Sequence, residues 1–137
     1  MNMGDSLLVN STFRGSYMQN EIIPTQDGVI VDCFHNFNDL QSIKNEWDNF
    51  ISLVCGEIFF TYDWCRTWWK YYGTKRDLAI FVFRSGNEIC GILPVFREKL
   101  WIGPVSIAAI KMVGSDFMPV TITVPIKQEY IDQVIDR

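Results

Sequence analysis

No run in this sequence approaches the ~20 consecutive apolar residues that carry a helix across a bilayer; the apolar residues 78–83 are far too few. The N-terminus shows none of the basic-then-apolar order of a secretion signal, so a cytoplasmic protein without membrane insertion is expected. Basic charge is sparse as well. The net charge is −4, and Lys and Arg are scattered apart from Lys75-Arg76 and the mixed Arg97-Glu98-Lys99. Nucleic acid, which needs a concentrated positive surface, is therefore not an expected partner. The four cysteines, Cys33, Cys55, Cys65 and Cys90, form no CxxC pair and no metal-ligand spacing. They read as small buried hydrophobes in a reducing compartment. His35 is the only histidine; it shares a strand face with Cys33, but two ligands do not make a metal site, and no metal is expected. A Ser–His–Asp triad has no serine on a nucleophile elbow to start from.

Aromatic mass is what the chain has in surplus. Its 137 residues are 48% hydrophobic and 15% aromatic, the size of one domain. The stretch 59–73 organises the rest. Thr61 is placed to cap a helix with its hydroxyl, Asp63 puts negative charge near the positive end of the dipole, and Gly73 offers a left-handed closing residue. At 100° per residue, Trp64, Cys65, Trp68, Trp69 and Tyr72 fall within an arc of roughly 140°, with Asp63, Arg66, Thr67 and Lys70 on the far side. Three of the five tryptophans thus sit on the inward face of one short helix.

Around that helix the elements follow in order. Residues 29–34 are β-branched and read as a first strand. Asn38 offers a cap, with Gln41 three residues later as in a capping box. Leu40, Ile43, Trp47, Phe50, Ile51 and Val54 then share one helical face. Residues 78–83 are apolar on both alternating faces, the pattern of a strand covered on both sides. A tight connection at Ser85-Gly86-Asn87 leads to a partner strand over 88–96, where Pro94 marks an edge, a bulge or the strand's working end. Residues 97–104 read as a polar turn, 106–113 as a strand, 114–119 as a break and 120–124 as a strand. A last helical segment follows Pro125, with Tyr130, Ile131, Val134 and Ile135 on one face.

Several strings in this order sharpen the reading: Asp39-Leu40 with Glu46-Trp47-Asp48; Ile58-Phe59-Phe60-Thr61-Tyr62-Asp63-Trp64; Thr67-Trp68-Trp69-Lys70-Tyr71-Tyr72-Gly73; Ile89-Cys90-Gly91-Ile92-Leu93-Pro94-Val95; and Val113-Gly114-Ser115-Asp116-Phe117. Over roughly residues 29–137 the chain resembles the acetyltransferase-like domain of CelD-type cellulose-biosynthesis proteins. These belong to the GNAT acyltransferase superfamily and are relatives of the FemAB-like peptidyltransferases. The resemblance implies an α+β (mixed α/β) fold: a GNAT-like central, mostly antiparallel sheet with helices on its faces, in the order β-α-α-β-β-β-β-α. Residues 1–28 would be a loosely ordered arm and residues 29–137 the N-terminal half of the domain. Members of that family run to more than twice this length, so by the resemblance the half that grips an acyl-coenzyme A lies beyond Arg137. The local chemistry agrees. A pyrophosphate cradle needs converging N–H groups, normally from a glycine-rich loop, and Thr123-Val124-Pro125-Ile126-Lys127 before the last helix has no glycine and one residue that cannot donate.

The resemblance implies acyl transfer from acetyl-coenzyme A or another acyl-coenzyme A to an amine or similar small-molecule acceptor, this chain giving the acceptor side. Asp116 is the candidate acid–base residue, because it sits in a break at a strand end; the competing reading is a turn residue bonded to nearby backbone. The family's break carries Asp followed by Tyr, whereas here Phe117 follows Asp116, so any role for that phenol is lost. Ser115 beside it, with Trp68, Trp69, Tyr71 and Trp101, are candidate substrate-binding residues. For Trp68 and Trp69 core packing is the favoured reading, since the helix has no other apolar face, with the floor of an acceptor groove as the alternative; Tyr71 and Trp101 fall outside the apolar stripe and are expected to be exposed. A second GNAT-like half or a second copy is the expected protein partner. Two alternatives stand beside this: a non-catalytic binding module that uses its aromatic surplus, and a split remnant that needs a partner half.

Overall fold

The run at 29–34 is a strand, though the second of its sheet. The computed structural model describes residues 21–24, 28–54, 57–117 and 124–135. Strand Glu21–Pro24 (β1) pairs antiparallel with Val29–Phe34 (β2), Ile22 opposite Asp32. Helices Lys44–Val54 (α1) and Tyr62–Tyr72 (α2) follow, then strands Asp77–Ser85 (β3), Glu88–Ile102 (β4) and Val105–Met112 (β5), and a short helix Ile131–Ile135 (α3). The five strands lie side by side in chain order, each antiparallel to its neighbour. The fold is therefore α+β, with both longer helices inserted between the adjacent strands β2 and β3. The strand expected over 120–124 lies outside the described residues except for Val124.

Period-two alternation on β3 and β4 builds the core. Leu78, Ile80 and Val82 point to one face, opposite Phe96, Pro94 and Ile92. They form one cluster with Leu40, Trp47, Phe50 and Ile51 from the first helical segment and Phe60, Tyr62, Cys65 and Trp68 from the second. An aromatic side chain burying ~150–250 Å² contributes roughly 4–6 kcal/mol of gross hydrophobic stabilisation at ~25 cal/mol per Å². The aromatic stripe therefore dominates this layer. On the other face Ala79, Phe81 and Phe83 are only half-buried, so β3 is covered fully on one side and partly on the other.

The polar ends of the helices differ from the sequence reading. The first helical segment is capped by Asn36, not Asn38: the Asn36 side chain accepts from the Asn38 N–H at 2.8 Å, and the segment opens as a 3-10 turn. Thr61 does not cap α2. Its hydroxyl donates backwards to the Ile58 carbonyl (2.7 Å), and the free Tyr62 N–H is taken instead by Asp48 Oδ1 (2.8 Å) reaching across from α1. Gly73 is right-handed, with φ −76°; a side chain there would meet the Trp69 ring at 2.6 Å, so glycine is required for space rather than for a left-handed turn. The buried stripe is rotated towards Tyr62, which is fully buried and donates its hydroxyl to the Phe37 carbonyl (2.6 Å), while Tyr72 is exposed. Trp47 donates to the Phe60 carbonyl (2.7 Å) and meets Tyr62 edge to face, locking α1 against α2. Arg84 of β3 holds Glu46 of α1 with two hydrogen bonds of 2.9 and 3.0 Å.

Residues 97–104 depart furthest from the sequence reading. They are not a polar turn: β4 runs on to Ile102, and the turn is Gly103-Pro104, with Gly103 at φ +59°. Pro94 is accommodated because its nitrogen faces a junction. Val113 N–H bonds the Pro94 carbonyl at the end of β5, and residues 125–127 take over beyond it, with Ile92 N–H to Pro125 (3.1 Å) and Lys127 N–H to Cys90 (2.9 Å).

Candidate functional site

The site assembles where α2 hands the chain to β3. The Gly73 N–H bonds the Trp69 carbonyl (2.8 Å), Lys75 takes a positive φ of 64°, and the chain reaches Arg76 one residue before the final β3–β4 pair, Asp77 opposite Arg97. The Arg76 guanidinium lies over the rings of Phe96 (4.6 Å to the centroid) and Trp68 (5.6 Å). Its Nε meets Glu98 at 2.9 Å and its Nη2 meets Asp116 at 2.6 Å. Lys111, opposite Phe96 on β5, reaches the same two carboxylates, Asp116 at 3.1 Å and Glu98. Two cations and two anions thus alternate around one node against an aromatic floor.

The node fixes the protonation of its members. Burial works to raise the Asp116 carboxyl, but hydrogen bonds and charge from Lys111 and Arg76 outweigh it and hold the group below its ordinary value. Lys111 is raised, chiefly by its bonds to Glu98 and Asp116. Asp116 is therefore a settled anion, and a carboxylate held this low is a weak proton acceptor at neutral pH. Two donors remain unused. Trp68 Nε1 and Arg76 Nη1 are buried without an acceptor among the described residues.

Trp68 and Asp116, far apart in sequence, are brought together through Arg76. Trp68 is buried, stacked on Phe96 at 5.5 Å, and Trp69 is half-buried against the same ring at 6.1 Å, so both belong to the floor. Ser115 precedes Asp116 in a 3-10 turn and is half-buried. Tyr71 lies apart, 68% exposed, with the Lys70 ammonium over its ring. Trp101 is 71% exposed near the tip of the β4–β5 hairpin and lines an open groove of about 660 Å³ together with Thr74, Lys75, Arg76, Arg97 and Lys99. Arg76, Glu98 and Lys111 were not singled out from the sequence. The signal available was Glu98 two residues after the apolar Phe96, hence on the same strand face.

His35 is tied locally. Its Nδ1 donates to the Leu78 carbonyl at 2.6 Å, which leaves Nε2 to face Cys33 Sγ at 3.6 Å. Among the described residues no group of three or more His, Cys, Asp or Glu is placed to hold a metal ion. Burial pushes the Cys65 and Cys90 thiols up, away from reactivity. No described helix is long and apolar enough to cross a membrane. No family model, no curated protein and no solved structure matches the chain.

Proposed function

We propose that this chain is the acceptor-side half of an N-acyltransferase of the GNAT type, working with a coenzyme A thioester. The observation that carries the reading is the order of the elements: two helices inserted between adjacent antiparallel strands, then an uninterrupted β3-β4-β5 meander. From Val29 on, this order agrees with the opening the sequence resemblance implies; Glu21–Pro24, expected to belong to a loose arm, adds a strand ahead of it. The Arg76 node supports it locally, because acyl transfer needs fixed donors for a carbonyl oxygen as charge develops there. Arg76, which lines the open groove, offers such a donor group, held in place by its ion pairs to Glu98 and Asp116. In this reading Asp116 is a positioning residue that orients Arg76 and Lys111. The acceptor's proton leaves by another route, because the carboxyl is already committed to two cations.

The thioester's pyrophosphate is assigned to a second half. The stretch before α3 carries Pro125, which has no N–H to donate, and no glycine among residues 124–130. Titration calorimetry with acetyl-coenzyme A, on the chain alone and mixed with a candidate second GNAT-like half, tests the proposal. Heat of binding in the mixture, with Arg76→Lys lowering acyl transfer while leaving the fold intact, is the expected result. Silence in both titrations contradicts it.

A further inference from the structure

β4 outlasts β3. Their last pair is Asp77 opposite Arg97, and residues 98–102 continue with β5 as their one strand neighbour among the described residues. Hydrogen bonds fix which way the backbone of β4 points. Ile92 N–H and the Cys90 and Pro94 carbonyls face the β5 side. By period two, Glu98, Leu100 and Ile102 do the same, and Lys99 and Trp101 turn their N–H and C=O groups the opposite way, where β3 has already ended. Lys99 and Trp101 also line the open groove, together with Thr74 and Lys75 from the segment before β3 and Ala108 of β5. An open strand edge is a template for another strand.

The two faces of this edge differ. On one, Lys99 and Trp101 point outward beside Lys75, and neither lysine has an ionic partner among the described residues. The neighbouring Arg97 is matched by Asp77 at 3.0 Å. On the other face Leu100 and Ile102 are apolar, and Glu98 is neutralised by Arg76 and Lys111. A strand laid along this edge would therefore meet the positive charge of Lys75 and Lys99 with every second side chain and apolar surface with the others.

We propose that the free edge of β4 at residues 98–102 binds an extended peptide of alternating acidic and apolar residues as an added strand. Backbone hydrogen bonds to Lys99 and Trp101 set the register. Lys75 and Lys99 select the acidic phase, and Leu100 and Ile102 take the apolar one. The proposal does not depend on the acyl-transfer reading, and its test uses no coenzyme A.

The test is fluorescence anisotropy of a labelled, end-blocked (Glu-Val)n peptide titrated with the full chain. Saturable binding is expected, absent for the (Lys-Val)n counterpart and weakened about tenfold by the double variant Lys75→Glu/Lys99→Glu. Both lysines are exposed, and a thermal melt checks that the variant folds. Methylating the peptide's backbone nitrogens in one phase should abolish binding, and in the other phase leave it unchanged, because a strand offers alternate N–H groups to its neighbour. No saturation at millimolar peptide overturns the proposal. So does equal loss in both methylation phases, equally tight binding of an oligothymidylate, or a second copy of the chain occupying the edge in ultracentrifugation.

Discussion

The two ends of β4 have similar residues and opposite fates. Ile92 and Phe96 are fully buried, whereas Trp101 and Ile102, just beyond, are 71% and 66% exposed. Strand geometry is continuous across the change, and β5 runs alongside from Val95 to Ile102. What changes is the cover. At Ile92 the strand lies between β3 and residues 125–127, and at Phe96 it lies between β3 and β5 against Trp68 and Trp69; beyond Arg97 β3 has ended. Apolar character alone thus does not decide burial. The Arg76 node sits at the boundary and closes the core with ion pairs rather than with another apolar layer.

Truncation at the two ends is the sharpest way to break this comparison. Phe96→Ala should cost roughly 3–5 kcal/mol, because the ring is buried beneath two tryptophans, while Ile102→Ala should stay within about 0.5 kcal/mol. Urea unfolding of both variants reads the difference, and similar values would remove the distinction. Gly114→Ala comes next. Gly114 has φ +92°, and a side chain there would run into the Trp64 ring, so a loss of roughly 1–3 kcal/mol in the same measurement is expected. Asp48→Ala should cost about 1 kcal/mol by freeing the Tyr62 N–H. Thr61→Ala should cost less, because its hydroxyl bonds a carbonyl behind the helix.

The smallest effect is a pH dependence at the boundary. Asp116 has a lowered folded pKa, so its stabilisation is complete above its unfolded value near 3.8 and is lost as pH falls through the lower folded value. Lys111 is raised, so its share is present below 10.5 and fades as pH climbs through the folded value above it. Asp116→Asn should flatten the acid limb of stability measured below pH 4 and leave the slope near neutrality unchanged. An unaltered acid limb would mean that the node carries no stability.

Much of the fold was legible because it follows from local periodicity. The inward stripe from Leu40 to Val54, the β-branched run at 29–34 and the Gly86-Asn87 turn each appear where residue spacing put them. The errors share one cause, competition between neighbours that local pattern does not rank. Asn36 and Asn38 can both cap, and the earlier one wins because its side chain reaches the later one's N–H. Thr61 is displaced by Asp48 from another helix, which no local window contains. Residues 97–102 looked like a turn because they are charged, yet an exposed hairpin needs no apolar alternation to stay paired. The candidate site was legible only in part. Asp116, Trp68 and Trp69 were named, but the groups that join them, Arg76, Glu98 and Lys111, become visible only once the β4–β5 register sets Phe96 opposite Lys111.

Native-state amide hydrogen exchange along β4 tests the divided strand most directly. The amides of Ile92 and Phe96 should exchange only through global unfolding. Beyond Arg97 protection should alternate, with Glu98 and Leu100 slow because they bond β5, and Lys99 and Trp101 fast because they face the open edge. Equal protection at Lys99 and Leu100 would contradict the account, since it would mean that the edge is already covered.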